Sequence, residues 1–192
     1  MEPWIWICVC LLGGLFLVKF LYLITTGWVL PVTKGALFIP TPSIRIKTFL
    51  DALPMNSKEF FLDLGCGDGR VLREATRRYG VKAIGFEVNL LAYVAAKVWN
   101  FRFKGIQIRW RNFWEVDLSH ADVVFCYLFP DVMERLAKKL EAELRPGSKV
   151  VSSHFPLPRW RPFQVLHPHS GRHQDPIYIY RFPSSCQTRV MG

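Results

Sequence analysis

A chain of 192 residues and 22.3 kDa has room for one catalytic-sized domain and little else. Its formal charge of +10 permits nucleic acid or anionic lipid as a partner, but no arginine-rich tail or recognised nucleic-acid module accompanies it, which leaves proximity to lipid as the simpler reading. The 5 cysteines are odd in number and lack metal-ligand spacing, so they fit a reducing compartment better than a disulfide scaffold.

From Trp4 to Leu30 the chain is almost wholly apolar, interrupted by Lys19 and softened by Thr25, Thr26 and Gly27. A helix of about 20 apolar residues crosses a bilayer, so residues 4–30 read as a transmembrane anchor. Lys19 opposes that reading by roughly 2.5 to 3.5 kcal/mol at mid-membrane, and leaves an interfacial helix or a hairpin as the alternative. No basic residue precedes the apolar run and no small-x-small site follows it, so the segment is expected to remain attached rather than be cleaved as a signal peptide. Glu2 lies before the span, whereas Lys34, Arg45 and Lys47 follow it. That asymmetry predicts a single-pass protein whose body faces the cytoplasm across a bacterial or archaeal inner membrane, or the matrix across a mitochondrial one.

Pro31, Pro40 and Pro42 prevent one continuous helix from running into the domain. Ile44, Ile46, Phe49, Leu50 and Leu53 have the spacing of a short amphipathic helix, so residues 31–56 read as a linker with an edge helix. Residues 57–183 form the expected catalytic domain, and 184–192 a flexible tail.

The domain begins with FFLDLGCGDGR, Phe60 to Arg70. A short apolar run predicts a buried strand, and Gly65, Gly67 and Gly69 let the backbone turn sharply and approach a ligand without an intervening Cβ. Arg70 to Tyr79 resumes with apolar residues at helical spacing, which completes a strand, glycine turn and helix of the nucleotide-pocket type. No Gly-Lys-Ser/Thr follows, so this is not a phosphate loop. Asp68 stands where a pyrophosphate would approach, which favours an uncharged or cationic ligand.

Val81 to Val88 is the second strand, and the helix between makes a right-handed crossover. Parallel strands bring Asp63, Asp68 and Glu87 to one rim, with Glu87 placed for ribose hydroxyls. Asn89 caps a helix over Leu90 to Phe103, whose expected buried stripe is Leu91, Val94, Ala95, Val98 and Trp99. Ile106 to Trp110 is the third strand and delivers Asn112, Phe113 and Trp114 to the same rim, as candidates for an adenine edge or as ordinary packing. Asp122 to Leu128 is the fourth strand, beside the first where a doubly wound sheet reverses. A helix over Val132 to Leu144, a strand over Ser148 to Ser153, and edge strands over Phe163 to His167 and Ile177 to Phe182 follow. His167, His169 and His173 have no cysteine or carboxylate ligand set around them, so no metal is expected.

The assembled pattern resembles the S-adenosylmethionine-dependent methyltransferases of the seven-stranded Rossmann-like class, with helices on both faces of an α/β sheet. Leu62-Asp63-Leu64-Gly65-Cys66-Gly67-Asp68-Gly69 is similar to their first cofactor motif. The resemblance implies S-adenosyl-L-methionine as cofactor, held by Asp63, Gly65, Cys66, Gly67, Asp68 and Gly69 at its methionine part. Glu87 would hold the ribose, with Asn112 and Phe113 at the base, Asn112 standing where the family commonly has aspartate. The apolar N-terminal segment, the proline-containing linker, Glu87-Val88-Asn89, Trp114, Tyr127-Leu128-Phe129-Pro130 and Ser152-Ser153-His154-Phe155 resemble the small membrane-anchored protein-lysine methyltransferases. That resemblance implies a membrane-associated protein substrate.

Methyl transfer from a sulfonium is an in-line displacement that needs an aligned, neutral nucleophile. A lysine with reference pKa near 10.4 must lose its proton first, and an aromatic, partly desolvated channel favours that. Tyr127, Phe129 and Trp114 are the candidate walls, with Tyr127 orienting the amine. His154 is a candidate proton acceptor or a structural hydrogen-bonding group. Asp131 would guide a cationic substrate or cap the following helix. A lipid, quinone or other small membrane-associated acceptor is the alternative, and a cofactor-binding scaffold without catalysis a further one. Nucleic acid is disfavoured, because Tyr127-Leu128-Phe129-Pro130 stands where nucleic-acid methyltransferases usually carry Asn/Asp-Pro-Pro-aromatic.

Overall fold

A computed structural model describes residues 3–33, 39–168 and 174–186. The N-terminal helix α1 (Pro3–Thr33) contains Trp4–Ile24, 21 residues of mean hydropathy 2.5 with none of its window buried against the rest of the protein. It is long and apolar enough to cross a membrane by length and composition. Lys34 lies outside the described residues, and so do His169, His173 and the tail beyond Cys186.

After α2 (Ser43–Ala52) the chain alternates strand and helix: β1 (Phe60–Leu64), α3 (Arg70–Tyr79), β2 (Lys82–Glu87), α4 (Leu90–Asn100), β3 (Ile106–Trp110), β4 (Val123–Cys126), α5 (Pro130–Glu143) and β5 (Lys149–Ser153). β6 (Gln164–Leu166) and β7 (Ile177–Arg181) close a seven-stranded sheet of order β3-β2-β1-β4-β5-β7-β6. The first five strands are parallel and β7 runs antiparallel to β5 and β6. Ile177 to Arg181 is therefore an interior strand rather than an edge, and Ile177, Ile179 and Tyr180 are buried accordingly.

Alternation along each strand divides the core in two. Phe61, Phe125 and Val151 point to one layer, with α2 and α3. Leu62, Val124 and Val150 point to the other, with Met133, Leu136 and Leu140 of α5. Leu72 and Ala75 of α3 and Met133, Leu136, Ala137 and Leu140 of α5 are buried as their spacing predicts.

Two elements depart from the sequence expectation. In α4 the buried residues are Ala92, Ala96 and Asn100, while Val94, Val98 and Trp99 are 47%, 57% and 55% exposed. The small alanines let the helix approach the sheet closely, and Asn100 is drawn inward because its Nδ2 donates to the Asp68 carbonyl at 3.1 Å. The larger apolar stripe is turned outward, on the helix against which α1 packs. Ser184 to Cys186, expected from sequence to belong to a flexible tail, instead form a turn. Ser185 is buried, its N–H donates to Arg181 O at 2.8 Å, and Cys186 pairs with Trp160 in an isolated β-bridge.

Candidate active site

The carboxyl ends of β1, β2 and β4 meet at the reversal of strand order, and the loop after β1 is held there by its own backbone. The N–H groups of Gly65 and Cys66 donate to Phe86 O at 3.0 and 2.9 Å, tying the loop to β2. Gly69 caps α3 with φ of +73°, and a Cβ on it would stand 2.5 Å from Asn100 Nδ2. Glycine is required at that position both for conformation and for space. Gly85 on β2 meets a second constraint, since a Cβ there would lie 2.5 Å from Cys66 Sγ.

Glu87 organises this loop more directly than its strand-end position implied. Its Oε2 accepts from Gly67 N–H at 2.8 Å, and its Oε1 from Val88 and Asn89 N–H at 2.9 and 2.8 Å. Burial pushes its carboxyl up from the ordinary range, and these backbone donors pull it back. The Asp68 carboxylate is engaged by Arg70, with Nε donating to Oδ2 at 2.9 Å and the terminal nitrogen at 2.6 Å. Its backbone carbonyl accepts from Arg73 at 2.9 Å.

Asp63 is the exception, being 2% exposed with an Oδ2 that has no hydrogen-bond partner among the described residues. Burial, followed by the nearby Glu87 and Asp68 carboxylates, holds its carboxyl well above the usual range. An orphaned buried carboxyl oxygen facing a cavity asks for a cationic or donor-rich ligand. That cavity is lined by Asp63, Gly65, Cys66, Asp68, Glu87, Asn112 and Phe113, and by Tyr127 and Leu128 just past the end of β4. The Asn112 side-chain oxygen caps the 3-10 turn Phe113–Glu115 by accepting from Trp114 N–H at 3.2 Å.

A second, more apolar cavity adjoins the first through Ile39, Tyr127 and Leu128, and is completed by Phe129, His154 and Phe155. His154 has a φ of +82°, a strained conformation for a residue with a side chain. Its ring lies 4.1 Å from Phe155 and 6.4 Å from Tyr127, centroid to centroid. The buried Nδ1 is 3.3 Å from Asp175 Oδ2 but outside hydrogen-bond geometry.

Behind this wall sits Arg45, 2% exposed. Its Nε donates to Ser153 Oγ at 3.0 Å, and its terminal nitrogens donate to Asp175 O at 2.7 Å and Pro176 O at 3.1 Å. The guanidinium carbon is 5.7 Å from the Tyr127 ring centroid. By sequence Arg45 is one of the charges flanking the span; in the structure it is an internal brace, which removes it from the topology argument. Its register with Phe49, one helical turn along the buried face of α2, was the available signal.

Two expected acceptor residues are not brought in. Trp114 lines neither cavity: the cap at Asn112 turns it onto Phe113, 4.7 Å away, with the Arg135 guanidinium 4.1 Å from its ring. Asp131 is exposed in the first turn of α5, which begins at Pro130, where its charge complements the helix dipole rather than facing either cavity.

Residues 63–164 match the ANTKMT methyltransferase domain. The chain is 35% identical over 148 residues to a protein-lysine N-methyltransferase of Saccharolobus islandicus, spanning 74% of this chain and 91% of that protein. It is 27% identical over 193 residues to the lysine N-methyltransferase of the ATP synthase C-subunit from Rattus norvegicus, covering 98% and 85% respectively. The structure is similar to that of an RNA methyltransferase from Salinibacter ruber in complex with S-adenosyl-L-homocysteine, with TM-score 0.71 and 28% identity over 78% of this chain and 97% of that one.

Proposed function

Because the chain belongs to the ANTKMT methyltransferase-domain family and is an S-adenosylmethionine-dependent protein-lysine methyltransferase, we propose that its acceptor is a lysine of a membrane protein, received in the cavity beside Tyr127. The observation that carries this reading is the shared wall. Ile39, Tyr127 and Leu128 border both the polar cavity under the glycine loop and the apolar one beside it, so a donor in the first and an acceptor in the second would meet across these three residues. The rat relative, which acts on an ATP synthase component, supports a membrane-associated substrate, and α1 supports retention at the bilayer, while Glu2 before the span against Lys34 and Lys47 after it favours the cytoplasmic or matrix side for the domain.

S-adenosylmethionine supplies an electrophilic methyl group on a sulfonium. The buried Asp63 carboxyl suits the cationic end of that molecule, and the glycine loop leaves its backbone open to close approach. Glu87 would reach the ribose with lone pairs not already taken by backbone N–H groups, and Asn112 and Phe113 would hold the base. On the acceptor side, the rings of Tyr127, Phe129 and Phe155 give the cavity an apolar wall that disfavours an ammonium. The lysine nitrogen forms its bond to the methyl carbon as the carbon–sulfur bond breaks, so the nitrogen must shed a proton before transfer. Tyr127 Oη would orient the free amine, and His154 is the candidate to take up a proton.

The test is labelled methyl transfer by the full chain in host membranes, with protein, lipid and RNA fractions counted separately. Label on lysine-containing peptides of a membrane protein is the expected result. Label confined to lipid or to RNA would overturn the acceptor assignment.

A further inference from the structure

We propose that the outer face of α4 and the adjoining edge of β3 form a second membrane contact, which lays the catalytic domain on the surface of an anionic bilayer beside α1. The inference rests on the reading of α1 as a membrane helix.

Leu90, Val94 and Val98 stand at four-residue intervals on the exposed side of α4, and Trp99 and Phe101 extend the stripe at its end. Phe101 is 73% exposed and Trp110, on the neighbouring strand, 61%. Such a surface on one side of a helix otherwise seated by alanines is not required for packing the domain. Its charge is equally one-sided. Lys97, Arg102, Lys104, Arg109 and Arg111 are all exposed, and no acidic residue occurs between Val88 and Trp114. Several of these features are coupled: the Arg102 guanidinium lies 5.2 Å from the Phe101 ring, and Trp110 Nε1–H donates to Val88 O at 3.0 Å. Aromatic rings with a polar edge, interleaved with cations that can snorkel, are the composition favoured at the headgroup level. Between α4 and β3 a shallow cleft lined by Lys97, Asn100, Phe101 and Lys104 offers a seat for a phosphate headgroup.

Lipid is favoured over a protein partner by continuity. The apolar helix α1 packs against α4, so the stripe lies on the helix that the anchor already touches. The orientation also has a consequence for catalysis. α4 starts at Leu90, just beyond Glu87, and β3 ends at Trp110, just before Asn112, so docking this face brings the cofactor cavity close to the membrane surface, within reach of a lysine at the headgroup level.

The test reconstitutes the full chain into nanodiscs of phosphatidylcholine with or without phosphatidylglycerol, carrying a trace of phospholipid with a photoreactive acyl chain, and maps adducts by mass spectrometry. The expected result is adducts on α1 in both bilayers, and on peptides covering 90–101 and Trp110 chiefly with the anionic lipid. A variant with Lys97→Glu, Arg102→Glu and Lys104→Glu should lose the second set by at least about fivefold, the factor one interfacial cation supplies, while keeping the α1 adducts and its affinity for S-adenosylmethionine. Adducts on α1 alone, adducts on α4 that ignore lipid charge, or cross-links joining α4 of two copies would each overturn the proposal. Absence of adducts on α1 would instead break the membrane reading beneath it.

Discussion

The two cavities that meet at Tyr127 and Leu128 are built in different ways. The cofactor side is local: Asp63 to Glu87 supplies its strand ends, its glycine turn and the carboxylate that ties the turn down, and the N–H groups of Gly65, Cys66 and Gly67 bind the turn to β2. The acceptor side is assembled from segments far apart, with Arg45 of α2 bonded to Ser153, 108 residues away, and to Asp175, 130 away. A local motif can bind its ligand with little help from the rest of the chain. A site braced over such separations depends on the whole fold, and can change its substrate without disturbing the cofactor.

That contrast can be broken most severely at Asp63. The Asp63→Asn protein should lose about 2–5 kcal/mol of affinity for S-adenosylmethionine, on the order of 100-fold in Kd by calorimetry, because a cationic ligand loses its buried counter-charge. Without cofactor, the same substitution should stabilise the protein at neutral pH. The Asp63 carboxyl is held well above its ordinary value of 3.8, so the folded chain keeps a proton that the unfolded chain has released. The stability this group contributes is therefore present below that ordinary value and is lost as pH rises through the folded one. Binding of a cationic ligand to the wild type should accordingly release a proton, seen as a dependence of the calorimetric heat on buffer ionisation enthalpy. Unchanged affinity in Asp63→Asn would remove the cofactor assignment.

A smaller effect, confined to the other cavity, is expected from Arg45→Met. Loss of the brace removes the donor to the Asp175 carbonyl and leaves the Pro176 carbonyl with the His154 N–H alone, which costs about 1–3 kcal/mol in denaturant unfolding. Turnover should fall about 10- to 100-fold through misplacement of Tyr127 and His154, with cofactor Kd nearly unchanged. Equal losses of turnover and cofactor affinity would mean that the two sides are not separable. Trp114→Leu should have the least effect, leaving kcat within about twofold, since the ring packs on Phe113 and Arg135 away from both cavities. A collapse of activity in that variant would restore Trp114 to the acceptor wall.

The same division explains what the sequence made legible. Strand order, the glycine turn and the gathering of Asp63 and Glu87 follow from contiguous patterns, each with a period or a spacing that backbone geometry enforces. Tyr127, Phe129 and His154 could be nominated because they sit at strand ends, yet nothing in the chain order places Arg45 behind them or Asp175 beside His154. In α4 the helical period holds and the buried face is the opposite one. Apolar periodicity cannot tell a side turned to a core from one turned to something outside the chain, and Ala92 and Ala96 carried the weaker signal because small side chains score little while permitting the closest approach.

The most direct test of the two-cavity account is Tyr127→Phe, measured for cofactor binding by calorimetry and for single-turnover methyl transfer to lysine in the same preparation. Removal of one hydroxyl at the shared wall should leave the Kd for S-adenosylmethionine within about twofold and slow transfer by roughly 10-fold or more, the scale of a lost positioning contact. Parallel loss of both, or transfer at the wild-type rate, would contradict the assignment of one cavity to the donor and the other to the acceptor.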